Sequence, residues 1–239
     1  MIFCAKNKSC NNQDTSITVD NHVIERVEKT KFLGVFIDQK MNWSEHINYT
    51  AGKVSRNIGI ILKARKFVTK KSLLGLYYTF IYPYLNYCCT VWGNAASSFI
   101  TRLHVLQKRI VRIISGKPKL TPSLNLFKNL RILPIQQLTK FKLSIFCAKQ
   151  KLNKLPPALD NFLYNVSGIH TYDTKSSHDY YVVTPRTQYA LLSVRYQAPI
   201  TWNNLHPTLK RFTISSSSEN PVISSSFKSN LIDHLLSII

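Results

Sequence analysis

Residues 31–47, KFLGVFIDQKMNWSEHI, change their periodicity halfway, and that change limits what the chain can build. Phe32, Leu33, Val35, Phe36 and Ile37 form an apolar run broken only by Gly34. Such a run, rich in β-branched and aromatic residues, reads as a buried strand. Gly34 within it points to a bulge or to another backbone passing close by. After Asp38 the pattern turns helical. Asn42 followed by Glu45 has the spacing of a capping box, with Asn as the cap. From Ile47 onward Ala51, Val54, Ile58, Ile61 and Leu62 follow one helical stripe. A strand, a tight connection and a long helix are expected in that order.

Upstream, Ile17-Thr18-Val19 and His22-Val23-Ile24 flank Asp20-Asn21 and read as a hairpin with a two-residue turn. Asp-Asn takes positive φ less readily than Asn-Gly, so the turn type stays open. Residues 1–5 read as a short strand, 6–14 as a polar loop, and 31–37 as the next strand of the same small sheet. So thin a sheet needs helices packed on it. Downstream, Thr69 caps a second helix carrying Leu73, Leu74, Tyr77, Phe80 and Ile81, which Pro83 ends or kinks. Ser97 or Ser98 caps a third, with Phe99, Leu103, Leu106, Ile110 and Ile113 as its stripe. Thr121-Pro122 signals a short helix through Phe127. Pro134 opens another, with Ile135, Leu138, Phe141 and Ile145 inside and Lys140, Lys142 and Lys149 outside. Past Pro156-Pro157 the texture becomes polar, most of all over 168–184. Residues 189–196 read as a strand, 199–209 as a short ordered element around Trp202, and 215–218 and 224–226 as flexible serine-rich loops. Residues 227–239 form a last amphipathic helix.

Charge narrows the partner. Lys and Arg total 32 against 11 Asp and Glu, a net charge of +21. Self-repulsion of that size is costly unless a polyanion is bound. Nucleic acid is the leading candidate and an anionic membrane surface the second. The cations lie off the apolar stripes. Lys53, Arg56, Lys63, Arg65, Lys66, Lys70 and Lys71 gather around one helix junction, and Lys108, Arg109 and Arg112 sit on the next long helix. Such side chains suit phosphate contacts, which give affinity without sequence information. A merely solvated helix face is the competing reading. Residues 72–101 carry no charge and are long enough to cross a bilayer. Pro83, Asn86, Gly93, Asn94 and the tyrosines between Tyr77 and Tyr87 argue for a buried helix and connection instead.

Five cysteines, Cys4, Cys10, Cys88, Cys89 and Cys147, show no paired metal-ligand spacing, which fits a reduced, intracellular compartment, nucleus or cytoplasm. Residues 1–7 show neither the apolar core of a signal peptide nor transit-peptide character, so secretion is not expected. Cys88-Cys89 with a distant His104 is a poor nucleophile and base, because cysteines in an apolar stretch are usually buried and inert. His46, at a helix start, reads as a packing or capping residue. No H-x-x-x-H pair, P-loop or G-x-S-x-G is present. No cofactor, metal site or small-molecule substrate is expected.

A family resemblance joins these pieces. Lys31-Phe32-Leu33-Gly34-Val35, Ile37-Asp38, Trp43 and His46-Ile47 resemble the segment after the polymerase palm in non-LTR retrotransposon reverse transcriptases, the jockey-like group in particular. It continues through Leu76-Tyr77, Ile81, Pro83, Tyr87 and Val91-Trp92-Gly93. Leu106-Gln107-Lys108-Arg109, Arg112, Leu126-Phe127, Leu130, Ile132-Leu133 and Gln137-Leu138 follow in order. Arg195, Trp202-Asn203, Leu205, Pro207 and the Ser-Phe-Lys ending at Lys228 complete a resemblance covering nearly the whole chain. It implies that Phe32, Leu33, Gly34 and Val35 belong to a primer grip and that the helices after them form a thumb that clamps a template–primer duplex. The departure is as informative. The family's palm holds two metal ions with an adjacent Asp-Asp pair and one earlier aspartate, and this chain has no Asp-Asp pair. Asp38 occupies a position the family does not use for metal. Met1 is expected to correspond to an internal methionine after the palm, making the chain a C-terminal remnant without polymerase activity.

The expected fold is α+β: a small N-terminal antiparallel sheet, a helical thumb-like bundle and a loop-rich C-terminal region. The boundaries fall at 1–42, 43–155 and 156–239, the last part loosely structured. Expected function is residual, non-sequence-specific binding of nucleic-acid backbone. Membrane association through 72–101 and an inert helical remnant are the alternatives.

Overall fold

Two short hairpins precede the helices of this computed structural model, which describes Met1, Phe3 and residues 17–168, 179–211 and 223–239. Strand β1 (Ile17–Val19) pairs antiparallel with β2 (His22–Ile24). Asp20 and Asn21 both take positive φ, 49° and 62°, as a two-residue type I′ turn requires. Strand β3 (Lys29–Phe32) pairs with β4 (Val35–Asp38) across Leu33 and Gly34, at φ 45° and 83°. The apolar run is therefore not one buried strand. It folds back on itself, because Gly34 supplies positive φ without steric cost and Lys29-Thr30 lengthens the arm opposite Ile37-Asp38. The hairpins also form two separate sheets rather than one. β3 is exposed throughout, while β4 buries Val35 and Asp38. The strand and loop expected over 1–14 lie outside the described residues, apart from Met1 and Phe3.

Helix α1 (Ser44–Ala64) starts from a corner built on Asp38. One carboxylate oxygen accepts from the backbone N–H of Lys40 at 3.0 Å and of Asn42 at 3.3 Å, and the other from Trp43 at 3.1 Å. A buried carboxylate at a helix start also meets the positive end of the helix dipole. Trp43 is held in the left-handed region at φ 66° with its ring buried. The expected capping box does not form. Asn42 instead accepts from Ser44 N–H at 2.8 Å, and Glu45 reaches out to Lys29 at 2.9 Å.

The bundle follows the apolar stripes. α1 buries Ile47, Ala51, Val54, Ile58 and Ile61, while Leu62, expected on that stripe, is exposed. α2 (Lys70–Phe80) is capped by Thr69, whose side chain accepts from Ser72 N–H at 3.2 Å. It buries Leu73 and Tyr77 and leaves Phe80 exposed. Pro83 lies in the first turn of a new short helix, α3 (Tyr82–Asn86). Cys88, at φ 49°, then leads into α4 (Cys89–Trp92). The uncharged stretch 72–101 is thus cut into three helices and the start of a fourth. Among the described residues no helix is long and apolar enough to cross a membrane.

Helix α5 (Ser97–Ser115) begins at Ala96 with no side-chain cap, neither Ser97 nor Ser98 serving. α6 (Leu124–Leu130) starts beyond Pro122 rather than at it, with Ser123 as its cap position. α7 (Ile135–Lys151) follows Pro134 as expected and is buried on nearly every side. A Cβ on Gly93 would collide with the Cys89 carbonyl and the Thr139 side chain, so this glycine lets α4 lie against α7. Gln107 is fully buried in α5 and joins three elements. Its amide nitrogen donates to Tyr77 Oη at 3.3 Å and to the Leu133 carbonyl at 3.2 Å, and its oxygen accepts from Ile135 N–H at 2.7 Å.

The C-terminal helices close on α7. α8 (Gln188–Leu192) and α9 (Val194–Asn203) occupy the place of the expected strand at 189–196. Thr187 caps α8, and Val194, Ala198 and Trp202 recur at helical spacing against the core. Packing overrides the β-preference of the local sequence here. Tyr180 is buried beside Trp202, with its hydroxyl donating to the Cys147 carbonyl at 2.8 Å. α10 (Pro207–Arg211) leads on, and α11 (Ser225–Ser237) buries Phe227, Leu231, Leu235 and Leu236. Ser224 is its cap, accepting from Phe227 N–H at 2.9 Å, so 224–226 is a helix start, not a loop. The loop expected at 215–218 and most of the polar stretch 168–184 lie outside the described residues. A single hydrophobic cluster runs from Val35 to Leu236.

Gln107→Leu is expected to cost about 3 kcal/mol, since it strands a buried hydroxyl, a carbonyl and an N–H with no new partner. Urea unfolding of the two proteins side by side measures it, and a loss below about 1 kcal/mol would contradict this role.

Candidate nucleic-acid interface

The exposed face of α1 is set by its two neighbours. Asn48 and Tyr49 are adjacent in sequence and point to opposite flanks. Arg102 of α5 donates to the Asn48 side chain. Tyr49 packs on Phe36 of β4, with ring centres 5.1 Å apart. Lys31 Nζ stands 5.3 Å and Lys53 Nζ 5.5 Å from the Tyr49 ring centre, within cation–π range. At the far end of α1, the Arg65 guanidinium lies 3.9 Å from where a Cβ would stand on Gly116, the residue after α5. α1 and α5 therefore run parallel, with the β3–β4 hairpin on the other side of α1.

Between α1 and α5 lies a groove of about 680 Å³, lined by Ala51, Gly52, Ser55 and Arg56 on one side and Arg102, Val105 and Leu106 on the other. Small residues on α1 make the space, and a Cβ on Gly52 or Gly59 would touch nothing within 4 Å. Helical spacing puts Gly52, Arg56, Gly59 and Lys63 on one face of α1, and Arg102 and Arg109 on one face of α5. Two rows of cations thus border an apolar floor.

The ten cations singled out in the sequence divide in three. Arg56, Lys63, Arg65, Lys66 and Arg109 are exposed on the α1 and α5 faces or at the end of α1. Lys70 and Lys71 are exposed in the first turn of α2, where positive charge opposes the helix dipole. Lys53, Lys108 and Arg112 are half-buried. Arg112 spends its Nε–H on the Thr121 carbonyl at 2.8 Å, holding the loop after α5. Among the described residues none of the ten forms an ion pair.

Sequence reasoning left Arg102 out of the candidate set, along with the Tyr49 platform between Lys31 and Lys53. A plainer signal was available. Between Glu45 and Asp160 the chain contains no aspartate or glutamate, so α1 to α7 carry no acid beyond the first turn of α1. Nothing within the bundle offsets its lysines and arginines.

The primer-grip-like residues separate. Val35 is buried under α1, but Phe32 and Leu33 are 62% and 74% exposed at the hairpin tip. Tyr87 donates its hydroxyl to the Leu33 carbonyl, and its ring covers Gly34. The tip is thus apolar, outward-facing and tethered to the bundle. The other polar candidates are structural. Burial pushes the Cys89 thiol up to about 12, leaving it no reactive thiolate. His104 stacks on Phe127, with ring centres 5.8 Å apart. His46 Nδ1 accepts from Phe36 N–H at 3.4 Å and its ring meets Trp92 edge-on. Among the described residues no group of three or more His, Cys, Asp and Glu is placed to hold a metal ion.

Burial holds the pKa of His46 below its usual 6.5, and burial followed by the Lys108 charge does the same to His104. The unfolded chain then binds more protons than the folded one once pH drops below 6.5, so stability is kept above that pH and lost as pH falls through the folded-state values. Urea midpoints are expected to fall between about pH 7.5 and about pH 5.5, and His46→Asn, which keeps an acceptor for Phe36 N–H, to flatten the fall. A midpoint that rises over this interval would overturn the assignment.

Comparison with known proteins places this geometry in context. The chain is 28% identical over 120 residues to the RNA-directed DNA polymerase from mobile element jockey of Drosophila melanogaster, covering 48% of this chain and 13% of that protein. The corresponding protein of Drosophila funebris is 27% identical over 105 residues, 43% of this chain and 12% of the relative. A probable RNA-directed DNA polymerase from transposon X-element of Drosophila melanogaster is 22% identical over 119 residues, again 48% and 13%. The similarity spans about half of this chain and about an eighth of each relative, a narrower reach than the resemblance read along the sequence. No family model matches the chain. No solved structure matches it either.

Proposed function

We propose, starting from its kinship with jockey-type RNA-directed DNA polymerases, that this chain is a non-catalytic nucleic-acid-binding segment of such a polymerase. It grips the backbone of an RNA/DNA duplex without reading its sequence. The observation that carries this reading is the acid-free α1/α5 face, where Arg56 and Arg102 border one groove and Lys63, Arg65 and Arg109 extend the two rows. Guanidinium groups match phosphate oxygens bidentately, and an apolar floor of Val105 and Leu106 accepts the sugar edge between phosphates. Lys70 and Lys71 at the start of α2 gain from the same polyanion, which relieves their conflict with the helix dipole. In this reading the exposed tip at Phe32 and Leu33, across α1 from the groove, faces the primer end of the duplex, as the primer-grip resemblance implies. An intracellular setting, nucleus or cytoplasm, goes with this partner.

The chain alone carries out no nucleotide addition in this reading, because it has no Asp-Asp pair for the two metal ions of phosphoryl transfer. Incorporation on a primed RNA template by the pure protein would overturn that part.

Binding is tested by fluorescence anisotropy with a labelled RNA/DNA duplex over a range of salt. Four to six neutralised phosphates give a log–log salt slope of about −4 to −5 and an affinity of about 10⁻⁴–10⁻⁶ M at physiological salt. Arg56→Ala with Lys63→Ala and Arg65→Ala is expected to weaken all sequences equally and to flatten the slope by about one unit per lost contact. Stability should stay within about 0.5 kcal/mol, as these residues lie off the buried stripe. Adding Arg102→Ala should weaken binding further. An unchanged slope in the variant moves the binding face elsewhere, and no binding at low salt removes the proposal.

A further inference from the structure

Beside helices α7 and α11 lies a second cavity, open to solvent on one side, that shares no residue with the α1/α5 groove. Its volume is about 520 Å³, within the roughly 300–1,000 Å³ typical of small-ligand sites. Phe141 and Ile145 from α7 and Ile223, just before α11, form its apolar part; Phe141 and Ile223 are almost fully buried and Ile145 is half-buried. Lys142 and Lys149 from α7 and Lys228 from α11 surround it. Phe141, Ile145 and Lys149 follow at intervals of four and share one helix face, so the apolar patch leads directly to a cation. No acidic side chain lines the cavity among the described residues. None of these three lysines forms an ion pair among those residues. Lys154 also lines the cavity and has an interaction of its own.

The two sites differ in chemistry. The groove offers arginine forks, which suit the repeated phosphates of a polymer. The cavity offers lysines, compact point charges on flexible stems, around aliphatic carbon. Its side chains include no polar group besides the lysines to meet a base edge, and no exposed aromatic face on which a base could stack. The occupant it fits has a hydrocarbon body and one anionic head. We propose that this cavity binds a single-chain anionic amphiphile. The alkyl chain lies on Phe141, Ile145 and Ile223, and the carboxylate or phosphate head sits among Lys142, Lys149 and Lys228. The site is independent of the nucleic-acid face and stands or falls separately from it.

The test is isothermal titration calorimetry of the full chain with octyl, nonyl and decyl phosphate, each below its micelle concentration, and with inorganic phosphate. One saturable site is expected, tightening about fourfold for each added methylene. Inorganic phosphate binding as tightly as decyl phosphate would reduce the cavity to a plain anion site and overturn the proposal. Decyltrimethylammonium binding equally well would do the same, by removing the need for the lysines. Lys142→Gln with Lys149→Gln and Lys228→Gln should weaken decyl phosphate by about tenfold or more, with the circular dichroism spectrum unchanged. Ile145→Gln should shallow the dependence on chain length. Unaltered binding in both variants rules the cavity out as the site. Displacement of decyl phosphate by an RNA/DNA duplex would assign the cavity to the polymer surface instead, also overturning the proposal. Decyl phosphate is expected to stay bound in the presence of phosphatidylserine vesicles, after correction for its partition into them; specific displacement by the vesicles would make the occupant a two-chain bilayer lipid and overturn the single-chain assignment.

Discussion

The helical bundle depends on one buried amide. Gln107 can make its three hydrogen bonds only when Tyr77 of α2, the Leu133 carbonyl and the first N–H of α7 converge on α5. Aliphatic packing tolerates small slips between helices, whereas an amide in a dry core does not, since any displaced partner is left unpaired. This fixes the register of α5 against α2 and α7. Asp38 does the same at the other end of the architecture, binding three backbone N–H groups that turn the chain from hairpin to α1. Between them these two side chains set the positions of α1 and α5, the two helices that form the basic groove.

Core and charge are divided cleanly in this bundle. The buried stripes of α1 and α5 are almost wholly aliphatic, and the cations face outward where no carboxylate answers them. Elsewhere the few acids are used locally. Glu45 holds Lys29 of the hairpin, Asp233 holds Arg131 after α6, and Asp179 holds Lys210 in α10. The first two pairs are largely exposed and contribute little to stability. Folding thus rests on apolar burial rather than on charge pairing.

Much of this was legible in the sequence because helical periodicity extends over long stretches. The stripes of α1 and α5, the Thr69 cap, the break at Pro83 and the opening at Pro134 all follow from it. The failures share a cause: short segments whose local signals compete. The run at 32–37 has the composition of a strand, yet one glycine turns it into a hairpin. Asn42 and Glu45 have capping spacing, yet Asp38 takes the Asn42 N–H that Glu45 would have accepted from, and the Asn42 side chain turns to Ser44 N–H. Residues 189–196 favour a strand by composition, yet Ala198 and Trp202 find their place against α7 only from a helix. The cations could be found from charge, but their grouping could not. That α1 and α5 lie parallel, bringing Arg102 opposite Arg56, is a fact of tertiary packing that no local pattern encodes.

The interval without acids has one more consequence. Magnesium-like cations take oxygen ligands, carboxylates foremost, and from His46 to Leu159 no side-chain carboxylate exists to offer one. In the proposed reading the bundle attracts a phosphate chain, yet over this interval it supplies no carboxylate for the metal ions that nucleotide addition requires. If the groove holds a strand as proposed, substitutions among its lysines and arginines change how firmly it is held without removing any carboxylate. A surface built in this way can diverge freely in sequence, since its requirement is a sign of charge and a groove width rather than a fixed set of atoms.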